Sequence, residues 1–163
     1  MRSNLFALLP TLVAGGLLSG SPLLAQDAQS RLWDAAIAGD TLALRQAVDD
    51  GARIDSLDAR QNPNGRLALN WAAWYDRAPA IRLLIELGAP LEAENRTGFT
   101  PLHHAAEAGS LEAARALLAA GADPTHPNKA GYTPAQTARE RGNAEVAELL
   151  EAAIASREAP AQP

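Results

Sequence analysis

The feature that most constrains how this chain can fold is an internal repeat with a period of 33 residues. Two sets of small or apolar residues recur at this spacing, namely Leu69, Leu102 and Ala135, and Ala72, Ala105 and Ala138. The dipeptide Gly88-Ala89 likewise returns as Gly121-Ala122. Such a period is typical of proteins that stack copies of one supersecondary unit, because a single unit cannot bury its own apolar face.

An earlier copy of the unit is displaced by 37 residues instead of 33, so that Leu32 corresponds to Leu69. The four additional residues fall within residues 60–64, between two turns. An insertion in a loop leaves the stacked helices undisturbed. The sequence therefore predicts four units, at about residues 30–57, 58–94, 95–127 and 128–151.

Each unit is predicted to contain two short helices. In the third unit Thr100 can cap the helix that begins at Pro101, and Gly109 can end it in the left-handed conformation. Apolar residues at helical spacing lie on both sides of Gly109. Several of them are small, such as Ala105 and Ala106, so paired helices can approach each other closely. The first and last units are expected to cap the stack.

Residues 98–109 read GFTPLHHAAEAG and residues 117–124 read LLAAGADP, and together they resemble the signature of ankyrin repeats. The resemblance extends over roughly residues 30–151. It implies an all-α repeat solenoid of about four helix-turn-helix units with short β-hairpin loops. In that family the hairpin tips and the exposed side of each first helix form a concave surface, and partner proteins bind there.

By this resemblance, the candidate partner-binding residues lie beside the hairpin glycines or follow the paired alanines. They are Arg66, Trp74, Tyr75, Arg96, Phe99, Glu107, Lys129, Tyr132, Glu140 and Arg141. Only 4% of the chain is aromatic, yet four of these ten residues are aromatic. Because Trp, Tyr and Arg dominate binding hot spots, we expect this strip to be exposed and to bind a partner. The alternative is that Phe99 and Tyr132 pack their own hairpins, and Trp33 and Trp71 are expected to be packing residues.

Composition and motifs argue against other classes of function. The chain has no cysteine, which excludes disulfides and thiolate chemistry, and its net charge of −5 argues against a protein that binds nucleic acid. His103 and His104 are adjacent on a helix and point about 100° apart, so they cannot share a metal ion. The resemblance implies instead that His103 hydrogen-bonds the backbone of a neighbouring hairpin. No catalytic motif is found, and we expect no enzyme activity, no cofactor and no metal.

The first residues of the chain have the pattern of an export signal. Arg2 is the only charged residue before Asp27, and the apolar run from Leu5 to Leu18 is too short to span a membrane. The pattern predicts cleavage after Ala25, with no stable membrane anchor afterwards. The chain is thereby divided into a signal peptide at 1–25, a repeat domain at 26–151 and a disordered tail at 152–163. The expected location is the periplasm, with secretion or an uncleaved anchor as alternatives.

The sequence thus predicts a non-catalytic protein–protein interaction module in an exported compartment. Its partner would be another protein, toward which it acts as an accessory factor or as an inhibitor, for example an immunity protein. An alternative function is the binding of a small ligand or a glycan on an exposed shelf formed by Trp74 and Tyr75. Such a site requires flat aromatic surfaces flanked by amides, and Asn62, Asn64 and Asn70 lie close by in the sequence.

Overall fold

The computed structural model of the chain describes residues 22–158, which form eight helices in four consecutive pairs. The helices are α1 (Pro22–Ala38), α2 (Thr41–Asp49), α3 (Ala68–Trp74), α4 (Ala78–Glu86), α5 (Pro101–Ala108), α6 (Leu111–Ala119), α7 (Pro134–Glu140) and α8 (Ala144–Glu158). Residues 1–21 of the predicted signal peptide lie outside the described residues, as do residues 159–163, whereas its last residues, 22–25, form the start of α1.

The helices form two layers. In the first layer α1, α3, α5 and α7 pack side by side, and in the second layer α2, α4, α6 and α8 do the same. Each first-layer helix also packs against the second helix of its own pair. This arrangement confirms the all-α repeat solenoid of four helix-turn-helix units. The β-hairpin loops are turns without strands in the described part of the chain, where one isolated antiparallel bridge joins Asp58 to Arg66.

The buried core follows the period of 33 residues. Ala72, Ala105 and Ala138 are completely buried at equivalent places on α3, α5 and α7, and Leu69 and Leu102 are each only 1% exposed. An alanine where two first-layer helices meet allows their backbones to come close, and interiors of this kind tolerate little added volume. The repeat in the sequence is therefore the repeat of the helix contacts.

The helix ends differ between copies of the unit. α5 is capped by Thr100 and ends at Gly109, whose φ is 74°. In α3, Leu67 provides no side-chain cap, and Asp76 replaces the glycine with a φ of 57°. The Oδ1 atom of Asp76 accepts a hydrogen bond of 2.7 Å from the backbone N–H of Ala113 in the first turn of α6. The irregular end of one unit thus caps a helix of the next.

The prediction of a disordered tail is wrong for residues 152–158, because α8 continues through them. Ile154 packs against the core. Arg157 donates a hydrogen bond of 2.8 Å to the carbonyl oxygen of Ala122 and lies 3.4 Å from the carboxylate of Asp123. These contacts attach the last turn of α8 to the loop after α6, and they add two turns to the stack that composition alone did not reveal.

Candidate functional site

A pocket of about 550 Å³ lies where the hairpin loops of the second, third and fourth units meet α5. Its lining residues are Asn62, Asn64, Arg66, Asn95, Arg96, Thr97, Phe99, His104, Glu107, Lys129 and Ala130. Five of the ten predicted partner-binding residues are thus brought together in one cavity, namely Arg66, Arg96, Phe99, Glu107 and Lys129.

One wall of the pocket comes from the insertion in the loop between α2 and α3. The backbone groups of Asp58 and Arg66 close this loop with hydrogen bonds of 2.8 and 3.0 Å. At its tip, the Oδ1 atom of Asn62 accepts a hydrogen bond of 2.8 Å from the backbone N–H of Asn64. The insertion leaves the helices in place, as expected, and it also supplies two lining residues.

Neighbouring hairpins are hydrogen-bonded to one another in a row. The backbone N–H of Arg96 donates to the carbonyl oxygen of Asn64 at 3.0 Å, and its guanidinium donates to that of Pro63. Lys129 repeats this arrangement, with its N–H 3.2 Å from the carbonyl oxygen of Thr97 and its Nζ 2.9 Å from that of Arg96. Both cations are therefore fixed at the rim of the pocket by carbonyl oxygens.

Arg66 lies against two tryptophan rings. Its guanidinium carbon is 4.5 Å from the ring centre of Trp71 and 4.1 Å from that of Trp74. Burial lowers the pKa of Arg66, while the nearby Glu107 acts in the opposite direction. A guanidinium stays protonated in proteins, so this site holds a half-buried positive charge. The contact corrects one expectation, because Trp74 is half-buried beneath Arg66 and is not an exposed strip residue.

The other aromatic residues of the predicted strip divide into two groups. Tyr75 and Tyr132 are exposed, at 39% and 41%, and Tyr75 stacks on Trp71 with ring centres 6.0 Å apart. Phe99 is half-buried, with its ring centre 5.3 Å from that of His103. The expectation that Phe99 is exposed is therefore wrong. Its contact with His103 agrees with the alternative, in which Phe99 packs its own hairpin.

The two outermost predicted residues lie at the end of α7. Glu140 and Arg141 are both exposed, and Arg141 forms an ion pair with Glu107 on the pocket wall. Arg141 thus compensates the charge of Glu107, the one carboxylate among the lining residues.

The structural role predicted for His103 is confirmed. Its Nε2 lies 2.9 Å from the carbonyl oxygen of Tyr132 in the next hairpin, and its Nδ1 lies 2.9 Å from the hydroxyl of Thr100. Burial lowers the pKa of His103, so the ring is neutral near pH 7 and Nε2 donates to the carbonyl. The equivalent residue of the first unit, Trp33, is half-buried and donates to the carbonyl oxygen of Ser56 at 3.2 Å.

His104 is a second buried imidazole, and it lines the pocket. It is 2% exposed and lies against Phe99 and Trp74, with ring centres 5.5 and 6.1 Å away. Burial, assisted by the charge of Arg66, lowers the pKa of His104 to about 3. Neither ring nitrogen has a hydrogen-bond partner among residues 22–158. His104 thus packs against Trp74 of the adjacent repeat, but the unsatisfied nitrogens are unusual, since buried polar groups are generally hydrogen-bonded.

An ion-pair cluster that the sequence did not predict lies beneath the inserted loop. Asp58 is fully buried and accepts hydrogen bonds of 2.9 Å from Nε of Arg60 and 3.1 Å from Nε1 of Trp71. Burial raises the pKa of Asp58, but these hydrogen bonds outweigh burial and hold it below its ordinary value. Arg60 also pairs with Asp34 at 2.8 Å. The cluster confirms that Trp71, 1% exposed, is a packing residue.

The groups that line this pocket can bind a ligand. It presents cations, side-chain amides, a neutral imidazole and an aromatic ring. In the part of the chain that the structure describes, no cluster of His, Asp and Glu is arranged to hold a metal ion. Over the same residues, no helix has both the length and the apolar character needed to cross a membrane.

Comparison with known families gives a match that covers most of the chain. A family model of ankyrin repeats in three copies matches residues 32–128 and 87–158. Together these matches include all of α2 to α8 and part of α1. The ankyrin-repeat fold is typically non-catalytic.

Individual relatives match over shorter stretches. The chain is 39% identical over 62 residues to palmitoyltransferase AKR1 of Lachancea kluyveri, which covers 38% of this chain and 8% of that protein. It is 42% identical over 53 residues to neurogenic locus notch homolog protein 2 of Homo sapiens, which covers 32% of this chain and 2% of that protein. The mouse protein of the same name matches equally. The chain spans less than a tenth of the length of these relatives.

Proposed function

The chain belongs to the ankyrin-repeat family, and from this premise we propose that it binds a partner protein on the surface formed by its hairpins and first-layer helices. Ankyrin repeats mediate protein–protein interaction. The observation that carries the proposal is the pocket on this surface, where five of the ten residues selected from the sequence meet. The module would act on its partner without catalysis, as an accessory factor or an inhibitor.

The hairpin surface has the composition of a binding site. Tyr75 and Tyr132 are exposed large side chains, and Arg66 is half-buried between tryptophans with no ion pair in the described part of the chain. Aromatic residues and arginine contribute most to binding energy in protein interfaces, particularly where they are partly desolvated. The surface therefore combines preorganised side chains with groups that a partner can still satisfy.

The glycan alternative has less support. Flat binding of a sugar requires an open aromatic face, but the guanidinium of Arg66 lies 4.1 Å from the ring centre of Trp74 and covers it. Tyr75 remains exposed, yet its ring is stacked on Trp71. The shelf of two open aromatic rings on which this function depended is not formed, so a protein partner is the better proposal.

Site-directed photo-crosslinking in the native cells tests this proposal. A photoreactive residue is placed at Ala130, which lines the pocket and is exposed, and in a matched variant at Ala119, which is exposed on α6 in the second layer. We expect a partner protein to be crosslinked from Ala130 and not from Ala119. Equal crosslinking from both positions, or crosslinking from Ala119 alone, would contradict binding on the hairpin surface.

We also propose that binding takes place after export, most simply in the periplasm. The support is the charge-poor apolar segment at 1–25, together with the position of the core. Ala28 is the first buried residue among the side chains that the structure describes, and it lies beyond the predicted cleavage site. Mass spectrometry of the protein isolated from its native cells should therefore show a chain that begins at Gln26. A chain that begins at Met1 and resides in the membrane fraction would refute export by cleavage.

A further inference from the structure

The pocket differs in charge from the rest of the molecule. The chain has a net charge of −5, but the pocket is lined by three cations, Arg66, Arg96 and Lys129, and by one carboxylate, Glu107. Glu107 is already paired with Arg141. Seven other arginines of the described residues form ion pairs, namely Arg31, Arg53, Arg60, Arg115, Arg139, Arg141 and Arg157.

The three pocket cations, in contrast, have no carboxylate partner within residues 22–158. Arg96 and Lys129 donate to the carbonyl oxygens of Pro63 and Arg96, which position these side chains but leave their charges uncompensated. The field in the pocket is therefore positive on an acidic protein. Such a cleft attracts anionic groups and raises the rate at which they associate.

Arg66 is held in a geometry suited to an anion. Hydrogen bonds of its backbone to Asp58 fix its position, and the rings of Trp71 and Trp74 lie 4.5 and 4.1 Å from the guanidinium carbon. Its Nε is buried and has no hydrogen-bond partner among the described residues. The Nε–H of Arg66 has thus lost hydration without gaining an acceptor. A carboxylate that meets its remaining N–H groups can form parallel charge-assisted hydrogen bonds.

His104 provides a second and independent indication. Its imidazole is 2% exposed, lines the same pocket and has no hydrogen-bond partner on either nitrogen in the described structure. A neutral imidazole carries one N–H, which can donate to an incoming oxygen. Nδ1 of His104 lies 4.0 Å from the carboxylate of Glu107, which is beyond hydrogen-bond distance. The buried Nε of Arg66 and the imidazole of His104 line one cavity, and both lack the hydrogen-bond acceptor that an anionic ligand would bring.

We propose, building on the proposed function, that this pocket binds an acidic segment of the partner protein, with one Asp or Glu carboxylate on Arg66 and a neighbouring one near Arg96 and Lys129. The three cations come from three successive hairpins, so they are distributed along the surface. A single carboxylate, whether a small organic acid or a chain terminus, satisfies one such site. Several acidic side chains on an extended segment match the whole row.

The probe for this proposal is an array of random, C-terminally amidated peptides of about ten residues, incubated with the protein at low ionic strength. We expect the retained peptides to be enriched in Asp and Glu. The enrichment should disappear with Arg66→Gln and persist with Arg82→Gln, a matched exposed arginine on α4. Enrichment that is absent, or that is lost equally in both variants, would overturn the proposal.

The best peptide then gives the quantitative test. In calorimetry, Arg66→Gln or exchange of the peptide's acidic residues for their amides should weaken binding at least about tenfold. Lys129→Gln, at an exposed rim position, should weaken peptide binding by a smaller factor. This variant tests the proposal even if Arg66→Gln impairs folding. Full displacement by glutarate at the peptide's own concentration would overturn the proposal in favour of a site for a small organic acid.

The outcome is separable from that of the photo-crosslinking experiment. If Ala130 crosslinks a partner whose attached segment contains Asp or Glu residues, both proposals are supported. If the attached segment contains none, the partner-binding function survives and the acidic specificity is refuted.

Discussion

Replacement of Ala105 by glutamate is expected to destabilise the fold by roughly 3 kcal/mol or more. Ala105 is completely buried in α5, which packs against α3 on one side, α7 on the other and α6 behind. A glutamate side chain has no volume available there, and its carboxylate would be buried without a partner. Because each unit is stable only when its neighbours stack against it, the loss should affect the whole repeat domain.

Chemical denaturation followed by circular dichroism measures this effect, and Ala108→Glu is the matched control. Ala108 lies in the same helix one turn later but is exposed, so its substitution should change the stability by no more than about 0.5 kcal/mol. If the two variants unfold at the same denaturant concentration, the repeat register deduced from the spacing of alanines is incorrect.

The stacking of helices could be predicted from the sequence because it depends on residue size at fixed intervals. Ala72, Ala105 and Ala138 mark the contacts of α3, α5 and α7, and no knowledge of side-chain conformations is needed to see their period. Helix ends such as Gly109, with its φ of 74°, were likewise predictable from local conformational preference. Both features were predictable because they depend on residues that are close in the sequence or on a strict repeat.

The candidate site could be predicted in position but not in detail. Five of the ten residues selected by resemblance line the pocket, yet Trp74 and Phe99 are half-buried. The burial of Trp74 results from the guanidinium of Arg66 above its ring, and Arg66 is held there by the loop bridge to Asp58. The spacing of residues in the sequence does not indicate such a contact between a hairpin side chain and a helix side chain.

The same reason explains why the charge state of the site was missed. Glu107 is paired with Arg141, 34 residues away, whereas Arg66 is paired with no acid in the described part of the chain. Which cations remain uncompensated depends on distances of a few ångströms between units. The net charge of the chain is −5, whereas the pocket is lined by three cations and one carboxylate. The net charge therefore predicts the wrong sign for the pocket.

The second large effect is expected for Asp58→Asn, at about 2 to 3 kcal/mol of destabilisation. The Oδ1 atom of Asp58 accepts from the backbone N–H and Nε of Arg60 at 3.0 and 2.9 Å. The Oδ2 atom accepts from Nη2 of Arg60 at 3.0 Å and from Nε1 of Trp71 at 3.1 Å. Both oxygens therefore face donors only. Whichever way an asparagine amide is turned, its NH₂ group opposes a donor, and the charge that balances Arg60 is gone.

Asp34→Asn is the control for this prediction, because Asp34 also pairs with Arg60, at 2.8 Å, but its side chain is 63% exposed. Exposed ion pairs contribute little, so this variant should lose less than about 1 kcal/mol. Equal losses in the two variants would mean that the ion pair as such, and not the buried acceptor, stabilises the loop.

The pH dependence of stability separates the carboxylate of Asp58 from a general packing effect. Its pKa in the folded protein lies below its ordinary value, so the folded state binds the proton less readily than the unfolded state. The stabilisation is therefore complete above the ordinary pKa of aspartate, about 4, and is lost as the pH falls through the lower folded value. Denaturation of the wild type and of Asp58→Asn at neutral pH and at successively lower pH values should show the difference between them decreasing below about pH 4. A difference that stays constant through this range would show that the asparagine variant is destabilised for reasons other than the missing charge.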